Sequence, residues 1–178
     1  MGSQFDILFG PEQRLMTFVM NEILSAYKSI DIEVYLITSK RIANRIVKAH
    51  EKGVKIRMII DGKPARRSGG LAKKRYSRHK FLMKKGIEVR PLRVWHGAMH
   101  NKFIIIDQKK VIAGSPNLSN DANYRNHEFI IVSEDRELVR SFGHRFDKMW
   151  EMAGVRHKQT KAHNPSPCRH VLSGRHCP

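Results

Sequence analysis

Acidic residues are scarce in this chain. Sixteen Asp and Glu stand against 34 Lys and Arg in 178 residues, a net charge of +18. A surface of that sign draws in polyanions and speeds their encounter. Nucleic acid, DNA or RNA, is the first partner expected, and peripheral contact with an anionic membrane the second. Long apolar runs are also missing, and none approaches the ~18 residues that span a bilayer. No signal-peptide pattern opens the chain. A bacterial periplasmic or membrane-associated location would therefore need a leader ahead of Met1. Met1-Gly2-Ser3 reads equally as an added start or a native one, so the compartment stays unknown. Two cysteines say little about the redox compartment, and they could pair in an oxidising one. With 40% hydrophobic residues the chain is nonetheless globular, and its length suits one domain with a sizeable core.

Strand and helix patterns alternate along that domain. Phe5 to Phe9 reads as a strand, and Pro11 suits the first turn of a helix. Leu15, Phe18, Val19, Ile23 and Leu24 then recur at helical spacing. Ile30 to Ile37 and Val54 to Ile60 read as strands around a helix capped by Ser39 and closed by Gly53. Gly62 to Gly70 is a break, and Leu71 to Lys85 is a candidate helix. Ile87 to Leu92, Phe103 to Ile106, Val111 to Ala113 and Phe129 to Val132 are further strands. Asp135 to Trp150 is a closing helix whose aromatics read as core.

Reactive groups concentrate between Trp95 and Glu128. His100, Lys102, Asp107, Gly114, Ser115 and Asn117 fall in the order H-x-K-x4-D-x6-G-S-x-N. Residues two apart on a strand share a face, so His100 and Lys102 point the same way if the strand begins near Met99. A hairpin here brings an imidazole, an ammonium, a hydroxyl and an amide to one end of a sheet. An imidazole can attack phosphorus and split one hard displacement into two easier ones. Lys102, Asn117 and Ser115 can hold the non-bridging oxygens as charge builds up. The stretch has no cluster of hard oxygen ligands, and neither a metal nor another cofactor is expected.

This pattern resembles the HKD motif of the phospholipase D superfamily and matches it without gaps. The resemblance runs from about Phe5 to Trp150, and is nearest to the short bacterial HKD endonucleases and zucchini-type nucleases. It implies an α/β/α sandwich with a mixed, mostly parallel central sheet. It also places Glu128 at the family's downstream acidic position. The implied catalytic set is His100, Lys102, Asp107, Ser115, Asn117 and Glu128. Within it, Asp107 braces the motif, and Glu128 accepts a hydrogen bond from an imidazole Nδ1 and fixes its tautomer. No second H-x-K-x4-D exists: His50-x-Lys52 lacks the Asp, while His79 and His144 lack the Lys. One imidazole cannot attack phosphorus from one side and protonate the oxygen leaving on the other. A two-fold homodimer pooling both motifs is the simplest solution, and the resemblance implies the same arrangement.

Twelve Lys or Arg and only one acid, Glu88, lie between Lys63 and Arg93. Arg66, Arg67, Lys73, Lys74 and Arg75 are the expected phosphate-backbone contacts. The domain is expected to span 1–154, followed by a flexible basic tail over 155–178. Cys168, His170, His176 and Cys177 in that tail are spaced more tightly than common zinc motifs. The leading expectation is a metal-independent, non-specific endonuclease working through a phosphohistidine. The alternatives are a phospholipase D-type lipid phosphodiesterase, acting for instance on cardiolipin, and a nucleic-acid-binding module without catalysis.

Overall fold

A computed structural model describes residues 5–62 and 77–154. Arg66, Arg67, Lys73, Lys74 and Arg75 and the tail lie outside the described residues. The strands are β1 (Phe5–Gly10), β2 (Ser29–Val34), β3 (Lys55–Asp61), β4 (Glu88–Leu92), β5 (Lys102–Ile106), β6 (Lys110–Gly114) and β7 (Glu128–Ser133). The helices are α1 (Leu15–Ser25), α2 (Lys40–Glu51), α3 (His79–Lys84), α4 (Asp121–Tyr124) and α5 (Arg136–Gly154). Ser39 caps α2 as expected, its Oγ accepting from the Ile42 amide. Pro11 does not open α1, which starts four residues later at Leu15 and leaves Pro11 in the preceding turn.

One seven-stranded sheet runs in the order β1-β7-β6-β5-β2-β3-β4. It is mixed, as expected, but its pairing is not mostly parallel. Only β2–β3 and β3–β4 pair in parallel, and the other four contacts are antiparallel. The cause is local: parallel neighbours need a helical crossover, which α2 supplies between β2 and β3, whereas a short turn joins β5 to β6.

The central strands β2, β3 and β5 are buried on both faces, which explains their apolar runs. On one face α1 and α2 close over Ile30, Ile32, Ile104, Ile130 and Val132. On the other, α5 crosses β6, β5, β3 and β4, setting Phe146, Met149 and Trp150 against Ile59, Phe103 and Ile105. Each such side chain, once fully buried, contributes about 1.5–3 kcal/mol. The layers form the expected α/β/α sandwich. Asp31 is buried under α5, and Arg57 matches it through Nε at 2.7 Å and Nη2 at 2.9 Å. The Arg57 guanidinium also lies 4.8 Å from the Phe146 ring, so the α5 aromatics serve packing.

α5 leaves part of its own sheet face bare. Ile7 pairs with Ile131 and Phe9 with Phe129 across β1 and β7. Phe5, Ile7, Phe9 and Phe129 are 52%, 44%, 58% and 42% exposed. This apolar strip runs up to Glu128, the first residue of β7.

Candidate active site

The β5–β6 hairpin brings its reactive residues to one end of the sheet. β5 begins at Lys102, so His100 precedes the strand and strand alternation does not align the two side chains. Lys102 reaches back instead. Its Nζ donates to the His100 carbonyl at 2.7 Å and lies 2.9 Å from Nδ1 of the same ring. An ammonium has donors and no acceptor, so Nδ1 must accept here, and the proton of the neutral ring sits on Nε2. The His100 ring lies 4.9 Å from that of Tyr35. Partial desolvation and then the Lys102 charge push the imidazole below its ordinary value of 6.5, with Asp61 opposing. Desolvation also lowers Lys102, with Glu128 opposing.

Gly114 and Ser115 build the other wall. A β-carbon on Gly114 would sit 2.9 Å from Ile130 Cα and closer still to the Phe129 carbonyl oxygen. Only glycine lets β6 approach β7 this closely. That approach puts Ser115 Oγ 3.2 Å from Glu128 Oε2, to which it donates, and 3.2 Å from the Phe129 amide, from which it accepts. Asn126 Nδ2 donates to Glu128 Oε1 at 2.7 Å. Glu128 is thus aimed by Ser115 and Asn126, while Nδ1 of His100 in the same chain faces Lys102. Asn117 Oδ1 is buried without a hydrogen-bond partner. An unsatisfied polar atom of this kind belongs where a site stores strain or awaits a ligand.

Asp107 sits at the far end of β5, away from His100. With Gln108 it forms the hairpin turn, at φ 53° and 56°, the left-handed geometry such turns need. Its carboxylate accepts from the amides of Tyr27, Lys28 and Ser29, the last two at 2.8 and 2.9 Å. It therefore pins the start of β2 to the end of β5 and touches none of the reactive groups. Asp107→Ala would strand those amides and release a left-handed residue. We expect a loss of about 3 kcal/mol and a melting temperature lower by about 10 °C in a thermal melt.

An open cleft of about 420 Å³ lies beside His100 and Lys102, lined also by Asn101, Phe103, Gly114, Phe142 and Arg145. Sequence reasoning missed Tyr35, Asn126 and Arg145. Asn126 lies two residues before Glu128 and was open to notice; Tyr35 and Arg145 arrive from β2's exit and from α5, and nothing local marks them. His96, Arg125 and His127 are exposed, and Arg125 lies 3.8 Å from Asp121. No group of three or more His, Cys, Asp and Glu suited to a metal occurs among the described residues.

Comparison with known proteins gives the chain a family. The family described as "Cardiolipin synthase, PLD-like domain" matches residues 19–150. A phospholipase D of Rickettsia felis is 36% identical over 140 residues, covering 79% of this chain and 66% of that protein. A mitochondrial cardiolipin hydrolase of Chlamydomonas reinhardtii is 35% identical over 128 residues, covering 72% of this chain and 54% of that protein. The chain thus spans two thirds or less of these relatives' own length. The crystal structure of Nuc, a phospholipase D family member from Salmonella typhimurium, superposes with a TM-score of 0.70 at 26% identity, covering 85% of this chain and 96% of that one. A gapless HKD pattern spanning one hairpin, a family match over most of the chain and likeness in both sequence and fold lead to one assignment: the chain belongs to the phospholipase D superfamily.

Proposed function

We propose that this chain is a metal-independent phosphodiesterase that cuts nucleic acid through a phosphohistidine, at a site shared by two copies. The observation that carries the chemistry is the 2.9 Å approach of the Lys102 ammonium to His100 Nδ1. It supports a nucleophile and an oxyanion-binding cation held together at the mouth of a cleft. The net charge of +18 supports a polyanionic substrate.

The two rings need different protonation states, which is why two copies are needed. One ring takes a second proton once Lys102 leaves Nδ1, and as imidazolium it serves as the acid; the other stays neutral with a single proton. The attacking ring must carry that proton on Nδ1, against a carboxylate, so that the Nε2 lone pair is free. Glu128 is that carboxylate for the second copy's imidazole. Substrate draws Lys102 onto a non-bridging oxygen. Nε2 of one ring then bonds to phosphorus, the bond to the leaving oxygen breaks, and the other ring protonates that oxygen. Water, deprotonated by the second ring, attacks the phosphohistidine and frees the first. Ser115 and Asn126 keep Glu128 in place, and Asn117 contributes its amide to the phosphate oxygens. The exposed strip of Phe5, Ile7, Phe9 and Phe129 is the face on which the second copy sits. Arg66, Arg67, Lys73, Lys74 and Arg75 are proposed backbone contacts on charge alone.

A lipid phosphodiesterase is the second reading. It is favoured by the names of two relatives and by Trp95, 87% exposed on the loop before His100, a residue type suited to membrane interfaces. Parallel assays in EDTA on an oligonucleotide and on cardiolipin vesicles separate the two. Strand cutting that persists in EDTA supports the nuclease; lipid cleavage alone overturns it. Wild type that binds nucleic acid yet cuts neither substrate would leave only the binding module.

The shift on His100 gives a pH prediction. Its folded value lies below 6.5, so the ring stays neutral to lower pH than a free imidazole. The acid limb of the bell-shaped rate profile should therefore fall below pH 6.5. Lys102→Met removes one lowering charge, so the His100 titration followed by NMR should move upward. No movement, or a downward one, would mean that Lys102 does not act on this ring.

A further inference from the structure

The cleft contains a cation that the displacement does not use. Arg145 is exposed on α5 and lines the same cleft as His100, Asn101 and Lys102. Phe142, three residues earlier, packs against Phe103 with ring centroids 4.9 Å apart, which fixes the helical turn that carries Arg145. On β2 within this layer is Glu33, fully buried; its Oε1 accepts from Asn101 Nδ2 at 2.8 Å and its Oε2 has no hydrogen-bond partner. Burial pushes the Glu33 carboxyl up, and Asn101 and the positive charge of Arg145 pull it back. An apolar residue would fill that space at lower cost, so packing does not account for the carboxylate. Holding Asn101, which lines the cleft, does.

The scissile phosphate carries one negative charge and already meets a Lys102 ammonium from each copy. A further cation there has nothing left to neutralise. A planar guanidinium fits two oxygens of a separate phosphate, and a nucleic-acid strand presents one a single nucleotide away.

We propose that Arg145, carried over the cleft by the seating of Phe142 on Phe103, is a specificity-determining residue that grips the phosphate next to the scissile one on a nucleic-acid strand. The proposal rests on the nuclease reading. It makes the chain prefer substrates with consecutive phosphodiesters over a lone diester.

The test compares the full chain with Arg145→Ala and Arg145→Lys on two substrates. One is a short single-stranded oligonucleotide, and the other is bis(p-nitrophenyl) phosphate, which holds a single diester. For Arg145→Ala, kcat/KM on the oligonucleotide should fall about 10-fold to 100-fold further than on the single diester, mostly through KM. Arg145→Lys should recover part of the difference, since it keeps the charge and loses the fork. Lys52→Ala, which removes an exposed charge beyond α2, should leave the ratio between substrates where it was. Equal losses on both substrates, or no selective loss, would overturn the proposal while the nuclease reading stands. Wild type that spares the oligonucleotide overturns both before any variant is compared.

Discussion

Replacing His100 with alanine should lower the rate of phosphodiester cleavage on the order of 10⁴-fold or more. The residue is exposed, so the variant should fold and melt like the wild type, and the loss will be chemical. Among the described residues, no neighbour stands ready to take over the attack. Tyr35 offers a phenol, which is a poor nucleophile at neutral pH, and Lys102 remains an ammonium although its value is lowered. The residual rate reports what Lys102 and Asn117 achieve by binding the phosphate alone. Single-turnover cleavage of an end-labelled strand is the measurement. A fall of tenfold or less would mean that nitrogen–phosphorus bond formation is not the route.

Placing a carboxylate on the bare sheet face should be nearly as damaging, although no reacting atom is touched. Phe9 and Phe129 are cross-strand partners, 58% and 42% exposed. A chain bearing +18 repels its own copies, so apolar burial must offset that repulsion if two are to meet. Phe9→Asp together with Phe129→Asp should give a monomer by light scattering at micromolar concentration. Cleavage should fall at least about 100-fold, because a lone copy keeps the nucleophile and loses the acid. Each chain should still fold, since neither ring packs in the core of a single copy, and any fall in melting temperature should reflect the lost association. A double variant that remains dimeric and active would place the interface elsewhere on the surface.

The sequence carried the strands and the motif well, and for a stated reason. Ile104, Ile105 and Ile106 are buried on both faces of the sheet, and such runs stand out without knowledge of their neighbours. Asp107 and Gly114 are set by backbone demands, a left-handed turn and a close strand approach, which spacing within one hairpin expresses directly. What local pattern could not express is pairing across long separations. The antiparallel insertion of β5 between β2 and β6 depends on which edges meet in space, so the parallel majority expected for the pairing did not hold. Arg145 reads in sequence as one more charge on an amphipathic helix; only the seating of Phe142 on Phe103 turns it toward His100. Glu33 looks like an ordinary strand residue until β5 and α5 bury it.

The central claim is tested most directly by a mixed dimer in which one copy carries His100→Ala and the other is wild type, isolated through two different affinity tags. If both imidazoles serve a single phosphorus, this hybrid retains less than about one hundredth of the wild-type rate, because whichever ring remains must act without its counterpart. A hybrid that retains half the rate would show that each copy works alone, and would contradict the shared site.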